Sequence, residues 1–164
     1  MNIVFDLDGT LADIRHRLHF IENQPKDWDA FFAACDKDDL IPVTAQIFEA
    51  LLHMQDNAIE IWTGRSAGKD GEIREMTIEW LENYVCHPYG CVGDEKTFFD
   101  EFEITLRMRS HEDYRQDPEL KREWLNQARA SGHEVHLVFE DRDRVVKMWR
   151  DEGVQCCQVA AGDF

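Results

Sequence analysis

The sequence is short of cations. Eighteen lysines and arginines stand against thirty-four aspartates and glutamates, a formal net charge of −16. Nonspecific binding along nucleic acid takes most of its affinity from phosphate neutralisation. The composition therefore excludes a protein that coats DNA or RNA. It leaves room for a small local cationic site, and it suits one that gathers carboxylates around a divalent cation. Long apolar runs are also missing. The longest, Ala30 to Cys35, has six residues, against the roughly 20 that cross a bilayer. The opening Met-Asn-Ile-Val-Phe-Asp has neither a basic leader nor an apolar stretch, so a cytoplasmic protein without membrane contact is expected. The five cysteines include no CxxC pair, and an odd count without a leader favours reduced thiols. Cys86, His87 and Cys91 offer three zinc ligands where a structural site needs four, so ordinary loop thiols are expected. The seven histidines contain no HExxH pattern.

What is present is enough for one domain with a real core: 164 residues, 43% apolar and 11% aromatic. Short apolar runs alternate with helical patterns. Strands are expected at Asn2–Phe5, Ile59–Trp62 (stopped by Thr63-Gly64), 102–108, Val135–Phe139 and Gln155–Ala160. Helices are expected at Arg15–Asn23, Trp28–Cys35, Pro42–Gln55, Glu72–Val85, 117–130 and Arg142–Asp151. In Pro42–Gln55 the apolar face is Val43, Ile47, Leu51 and Met54. Asp117 is expected to cap the helix that holds Pro118 in its first turn. Strand–helix alternation predicts an α/β fold, Rossmann-like, with a mostly parallel sheet and helices on both faces. Ligands of such sheets bind beyond the carboxyl ends of the strands.

Chemistry concentrates at those ends. Asp6-Leu7-Asp8-Gly9-Thr10 follows the first strand, and Gly9 permits a sharp backbone departure. Thr63-Gly64-Arg65 and Arg109 follow two others, and Glu140-Asp141-Arg142 a fourth. Carboxylates at the end of a buried strand cost free energy unless paired or metal-bound. Two acidic clusters at two strand ends suggest a hard divalent cation, Mg2+. Asp117 stands one helical turn before Lys121, close enough to orient it. Gly64 to Asp70 has the wrong glycine spacing for a P-loop and Asp70 where Ser or Thr is required, so no kinase half is expected.

In order and spacing these segments resemble the motifs of the haloacid dehalogenase (HAD) superfamily. Asp6-Leu7-Asp8-Gly9-Thr10 matches the first, Thr63-Gly64-Arg65 the second, Lys121 the third and Glu140-Asp141 the fourth. The sequence is similar, nearly end to end, to polynucleotide 3′-phosphatase domains such as that of bacteriophage polynucleotide kinase. The stretches that carry this are Ile3–Leu11, Ile61–Ser66, 109–121 and 138–164, including Val145-Val146-Lys147-Met148-Trp149-Arg150 and the ending Gly162-Asp163-Phe164.

The resemblance implies one phosphatase domain over residues 1–164 with minimal or no cap, residues 13–40 forming at most a small helical flap. Trp28, Phe31 and Phe32 in that flap are expected to pack as core. It implies Asp6 as nucleophile, Asp8 as general acid and base, and Mg2+ held by Asp6, the Asp8 carbonyl and Asp141. Thr63, Gly64, Arg65 and Arg109 would meet the substrate and Lys121 would hold phosphate beside Asp6. Gly9, Thr10, Asp117, Glu140 and Arg142 would support them. Glu140 departs from the aspartate of the polynucleotide phosphatases. The expected substrate is a phosphorylated nucleotide or a nucleic-acid 3′ end. Residues 107–122 hold five bases and four acids, a net of +1, which suits a terminal phosphate but no extended track. The alternatives are a nucleoside monophosphatase or other metabolite phosphatase and, from another class, a phosphoacceptor signalling module. A separate kinase partner is left open.

Overall fold

The computed structural model describes residues 1–85 and 104–162. Cys86, His87, Cys91, Asp163 and Phe164 lie outside the described residues.

Five parallel strands form the sheet: β1 (Asn2–Phe5), β4 (Ala58–Ser66), β5 (Thr105–Arg109), β6 (Leu137–Arg142) and β7 (Gln155–Gly162). Their order is β5-β4-β1-β6-β7, which puts β1 at the centre. Alternation with period two splits the apolar side chains between two cores. Ile3, Phe5, Ile59, Ile61 and Leu106 enter one, beneath α3 (Pro42–Leu52) and α4 (Glu72–Tyr84). Val4, Trp62 and Val138 enter the other, beneath α5 (Asp117–Ala130) and α6 (Asp143–Asp151). The expected α/β sheet with helices on both faces is the observed one. Among the described residues no helix is long and apolar enough to cross a membrane.

The insertion after β1 has its own layout. Short strands β2 (Ala12–Asp13) and β3 (Asp39–Leu40) pair antiparallel at its base. Between them run a 3-10 turn (Arg15–Arg17), α1 (His19–Glu22), α2 (Trp28–Ala33) and a second 3-10 turn (Cys35–Lys37). Phe31 packs with Ile14 and Ile21 in a small third cluster, flanked by Phe32. Phe31 thus serves a core local to the insertion with Phe32 at its edge, whereas Trp28, expected in the core, is 44% exposed and packs its ring against the outer side of these two.

Three local expectations are corrected. β4 does not stop at Trp62 but continues through Thr63, Gly64 and Arg65 to Ser66, with a register shift against β5 between Thr63 and Ser66. In α3 the buried residues are Thr44, Ala45 and Phe48, whereas Val43 and Ile47 face outward, and Met54, also exposed, lies beyond the helix end at Leu52. The burial of Phe48 against Phe5, ring centroids 5.0 Å apart, sets the helix rotation and turns the Val43 face away. At α5, Gln116 occupies the capping position and Asp117 is the first helical residue. Its carboxylate accepts from Arg109 and Arg142 instead of capping the helix.

Candidate active site

After Phe5 the chain turns tightly, and the Leu7 carbonyl accepts from the N–H groups of Thr10, Leu11 and Ala12 at 2.9–3.2 Å. This turn fixes Asp6 and Asp8 at the carboxyl end of the central strand. Gly9 has φ +86°, and a Cβ there would overlap the Asp141 carboxylate. Glycine is needed both for that backbone conformation and for the close approach of β1 and β6.

Lys121 reaches in from α5 and is almost wholly buried. Its Nζ donates to Asp6 Oδ1 at 2.5 Å and to Glu140 Oε2 at 2.6 Å. The other Glu140 oxygen accepts from the N–H groups of Asp141 and Arg142 at 3.2 and 3.3 Å. Glu140 thus braces Lys121 against the backbone of the β6–α6 turn, and the longer side chain spans both jobs. Gln158 steadies the same turn by donating to the Asp141 carbonyl at 3.0 Å.

Asp141 is fully buried, and neither carboxylate oxygen has a hydrogen-bond partner among the described residues. One carboxylate oxygen from each of Asp6, Glu140 and Asp141 lies within 4.8 Å of the others. Burial lifts the Asp141 carboxyl to about 9, reinforced by the charges of Asp6 and Glu140. Burial likewise raises Asp6 to about 7, with Glu140 pushing the same way and Lys121 opposing. An ionised carboxylate buried without a donor is costly. An all-oxygen set of this kind fits a hard divalent cation.

Asp8 is held from the opposite side. Its Oδ1 accepts from Arg17 Nη2 at 2.9 Å and from both Nε and Nη2 of Arg65. Arg17 and Arg65 also grip Asp38, at 2.6 and 2.8 Å. Burial alone would raise the Asp8 carboxyl, but the two guanidinium groups hold it well below the ordinary carboxylate range. Arg65, expected to face substrate, is instead fully buried with its donors spent on Asp8, Asp38 and Thr77. Thr63 is fully buried, its Oγ1 accepting from the Arg65 N–H at 3.1 Å. Thr10 is buried with its hydroxyl unpartnered among the described residues.

A third group closes the site on the β5 side. Arg109 donates to the Gly64 carbonyl at 2.8 Å and to Asp117, which also accepts from Arg142. A Cβ on Gly64 would come within 2.5 Å of Asp117. Asp117 acts on Lys121 through its charge and makes its hydrogen bonds to the two arginines. Arg17 and Asp38 escaped the sequence reading. Nothing in the spacing of the insertion marks them as partners of Asp8, and Arg17 stands among Arg15, His16 and His19, so its charge does not single it out.

The family model for the polynucleotide kinase PNKP phosphatase domain matches residues 1–164. The chain belongs to this family. It is a HAD-type phosphatase, a phosphoric monoester hydrolase. Among solved structures it is similar to a chain of the Pnkp1/Rnl/Hen1 complex, with 27% identity and TM-score 0.69, over 99% of this chain and 47% of that one. It therefore spans about half the length of that relative. The fold is shared with a haloacid dehalogenase-like hydrolase from Streptococcus pneumoniae, at 16% identity and TM-score 0.54 over 96% and 83% of the two chains. It is shared too with a HAD family enzyme from Bacteroides thetaiotaomicron, solved with magnesium and inorganic phosphate, at 13% identity and TM-score 0.51 over 99% and 96%.

Proposed function

We propose that this phosphatase is Mg2+-dependent and removes 3′-phosphates from nucleotides or nucleic-acid ends through an aspartyl phosphate on Asp6. The observation that carries the chemistry is the buried pairing of Asp6 with Lys121 beside the unpartnered Asp141 carboxylate. The 3′-phosphate is favoured by the family. Residues 1–164 act as one domain, with 13–40 as a small flap.

In the first step an Asp6 carboxylate oxygen attacks phosphorus and the bond to the sugar oxygen breaks. Lys121 holds the nucleophile and neutralises phosphate charge. Asp8 gives a proton to the departing oxygen. The negative substrate opposes the pull of Arg17 and Arg65 on Asp8, which lets the carboxyl carry that proton. In the second step Asp8, again a carboxylate, takes a proton from water, and the water oxygen displaces Asp6 from phosphorus. Thr63 and Gly64 bind phosphoryl oxygens, while Arg109 and Arg142 fix the mouth of the site through Asp117. Mg2+, held by Asp6, the Asp8 carbonyl and Asp141, would screen the repulsion between phosphate and carboxylates.

The test is phosphate release in Mg2+, with and without EDTA, from 3′-mononucleotides, 5′-mononucleotides and 3′-phosphorylated oligonucleotides. EDTA-sensitive release from 3′-phosphates is expected. Release mainly from 5′-mononucleotides would assign the site to nucleotide metabolism instead. At a net charge of −16, only weak inhibition by salt is expected even with oligonucleotides. The Pnkp1 neighbour was solved in an RNA repair complex; a ligase or a separate kinase acting on the same ends is the kind of partner this reading implies.

Metal and pH are linked. Asp6 and Asp141 stand far above their ordinary value of 3.8, so the metal-free folded chain keeps protons that the unfolded chain releases. These two groups favour folding fully below that value, and the contribution is lost as pH rises through about 7 and about 9. A divalent cation held by Asp6 and Asp141 would take the place of the lost protons. Added Mg2+ should therefore raise the thermal midpoint more at pH 8.5 than at pH 6, measured against EDTA controls. An equal shift at both pH values would remove the two carboxylates from the metal site.

A further inference from the structure

An enzyme this acidic cannot recognise a nucleotide by running its phosphates along a basic surface. Uncharged contacts near the site are then one way to select a nucleotide over other phosphomonoesters. Among the described residues the most exposed large apolar side chain is Tyr114, at 85%. It lies in the loop between β5 and α5, on the side of the sheet where the reacting groups stand.

The loop is firmly held. Arg109 Nη1 donates to the carbonyls of Asp113 and Arg115 at 3.0 and 2.7 Å, the residues on either side of Tyr114. The Arg115 N–H and Nε donate to the Asp113 carboxylate at 3.1 and 3.0 Å. The same Arg109 guanidinium donates to Gly64 and Asp117, so one side chain fixes Tyr114 relative to Gly64 and, through α5, to Lys121. Beside the ring is a shallow, open surface depression lined by Ser110, Glu112, Asp113, Tyr114 and Arg115. Asp113 and Arg115 in this lining are already paired with each other, which leaves the face of the Tyr114 ring to meet a flat group such as a base.

We propose that Tyr114 is a stacking platform for a nucleobase of the substrate, and that it determines specificity for nucleotides over base-free phosphomonoesters. The proposal deepens the 3′-phosphatase reading and rests on it. Exposed tyrosines suit this role because every base offers a π-face, and an alanine in place of such an aromatic typically costs about 1–3 kcal/mol per base.

The test compares kcat/KM of wild type, Tyr114→Ala and Tyr114→Phe on three substrates: a 3′-phosphorylated trinucleotide, a nucleoside 3′-monophosphate and base-free 1,2-dideoxyribose 3-phosphate. Tyr114→Ala is expected to lose roughly 5- to 160-fold on base-bearing substrates, mostly in KM, and less than about twofold on the base-free one. Tyr114→Phe should retain wild-type values. Loss in both base-bearing arms assigns the platform to the terminal base, and loss with the trinucleotide alone assigns it to the neighbouring base; either upholds it. An equal loss on the base-free substrate, or no loss on the others, overturns it. A wild type that releases phosphate from none of the three fails the 3′-phosphatase reading itself and takes the platform with it.

Discussion

Replacing Asp6 by asparagine is expected to lower phosphate release by at least about 10⁴-fold while the fold stays intact. The amide keeps an oxygen able to accept from Lys121 Nζ, so the 2.5 Å contact can persist. It removes the negative charge that a nucleophile needs. It also removes one of the carboxylates crowded at the ends of β1 and β6, where burial and Glu140 already push Asp6 up to about 7. The metal-free variant should therefore melt at or above the wild-type temperature at pH 8. Phosphate release and a thermal melt on the same sample check both halves. Near-wild-type turnover would remove Asp6 as the nucleophile, and a collapse in melting temperature would make its role structural.

Arg17→Ala should damage stability and catalysis together. Arg17 is fully buried, bridges Asp8 and Asp38, donates to the Phe31 carbonyl at 3.3 Å and stacks on the Phe31 ring at 4.2 Å. Without it Asp8 keeps Arg65 alone, and Asp38 keeps Arg65 and His16. Removing one member of a buried ionic cluster typically costs about 3–5 kcal/mol, and denaturant unfolding should read a loss of that order. Loss of one guanidinium also lets the Asp8 carboxyl rise from its depressed position. Arg17→Lys should restore part of the stability and less of the orientation, because an ammonium cannot reproduce the fork. A stability change below about 1 kcal/mol would show that the cluster is not held as a buried unit.

The fold was readable because its strands are short, apolar and separated by helical patterns, and because acidic side chains sit where those strands end. Asp6, Asp8 and Asp141 stand out through residue type at strand ends, and Lys121, inside α5, through the family pattern. What escaped was set by three-dimensional packing. Val43, Ile47 and Met54 have helical spacing, yet Phe48 wins the core because its ring meets Phe5 of β1. Thr63-Gly64 has the composition of a strand stop, yet pairing with β5 carries β4 on to Ser66. Arg65 sits at a substrate-like position, but a buried Asp8 and Asp38 claim it first. The Arg17–Asp38 pair comes from an insertion whose sequence has no period, and only the path of the chain shows that it reaches back to the site.

The tryptophans give the molecule an optical use. Trp62 directly precedes Thr63 in β4 and packs against Trp124, less than one helical turn beyond Lys121, and against Trp149, with ring centroids 6.0 and 5.8 Å apart. Trp80 donates its indole N–H to the Asp38 carbonyl at 2.7 Å, and Trp28 lies under Lys26 in the insertion. The indoles thus divide into a coupled trio beneath the Thr63–Lys121 side of the site, one on the arginine side and one on the flap. Ultraviolet emission from this unlabelled chain is a three-zone gauge, in which single Trp→Phe replacements separate events at the reacting phosphate from events in the insertion.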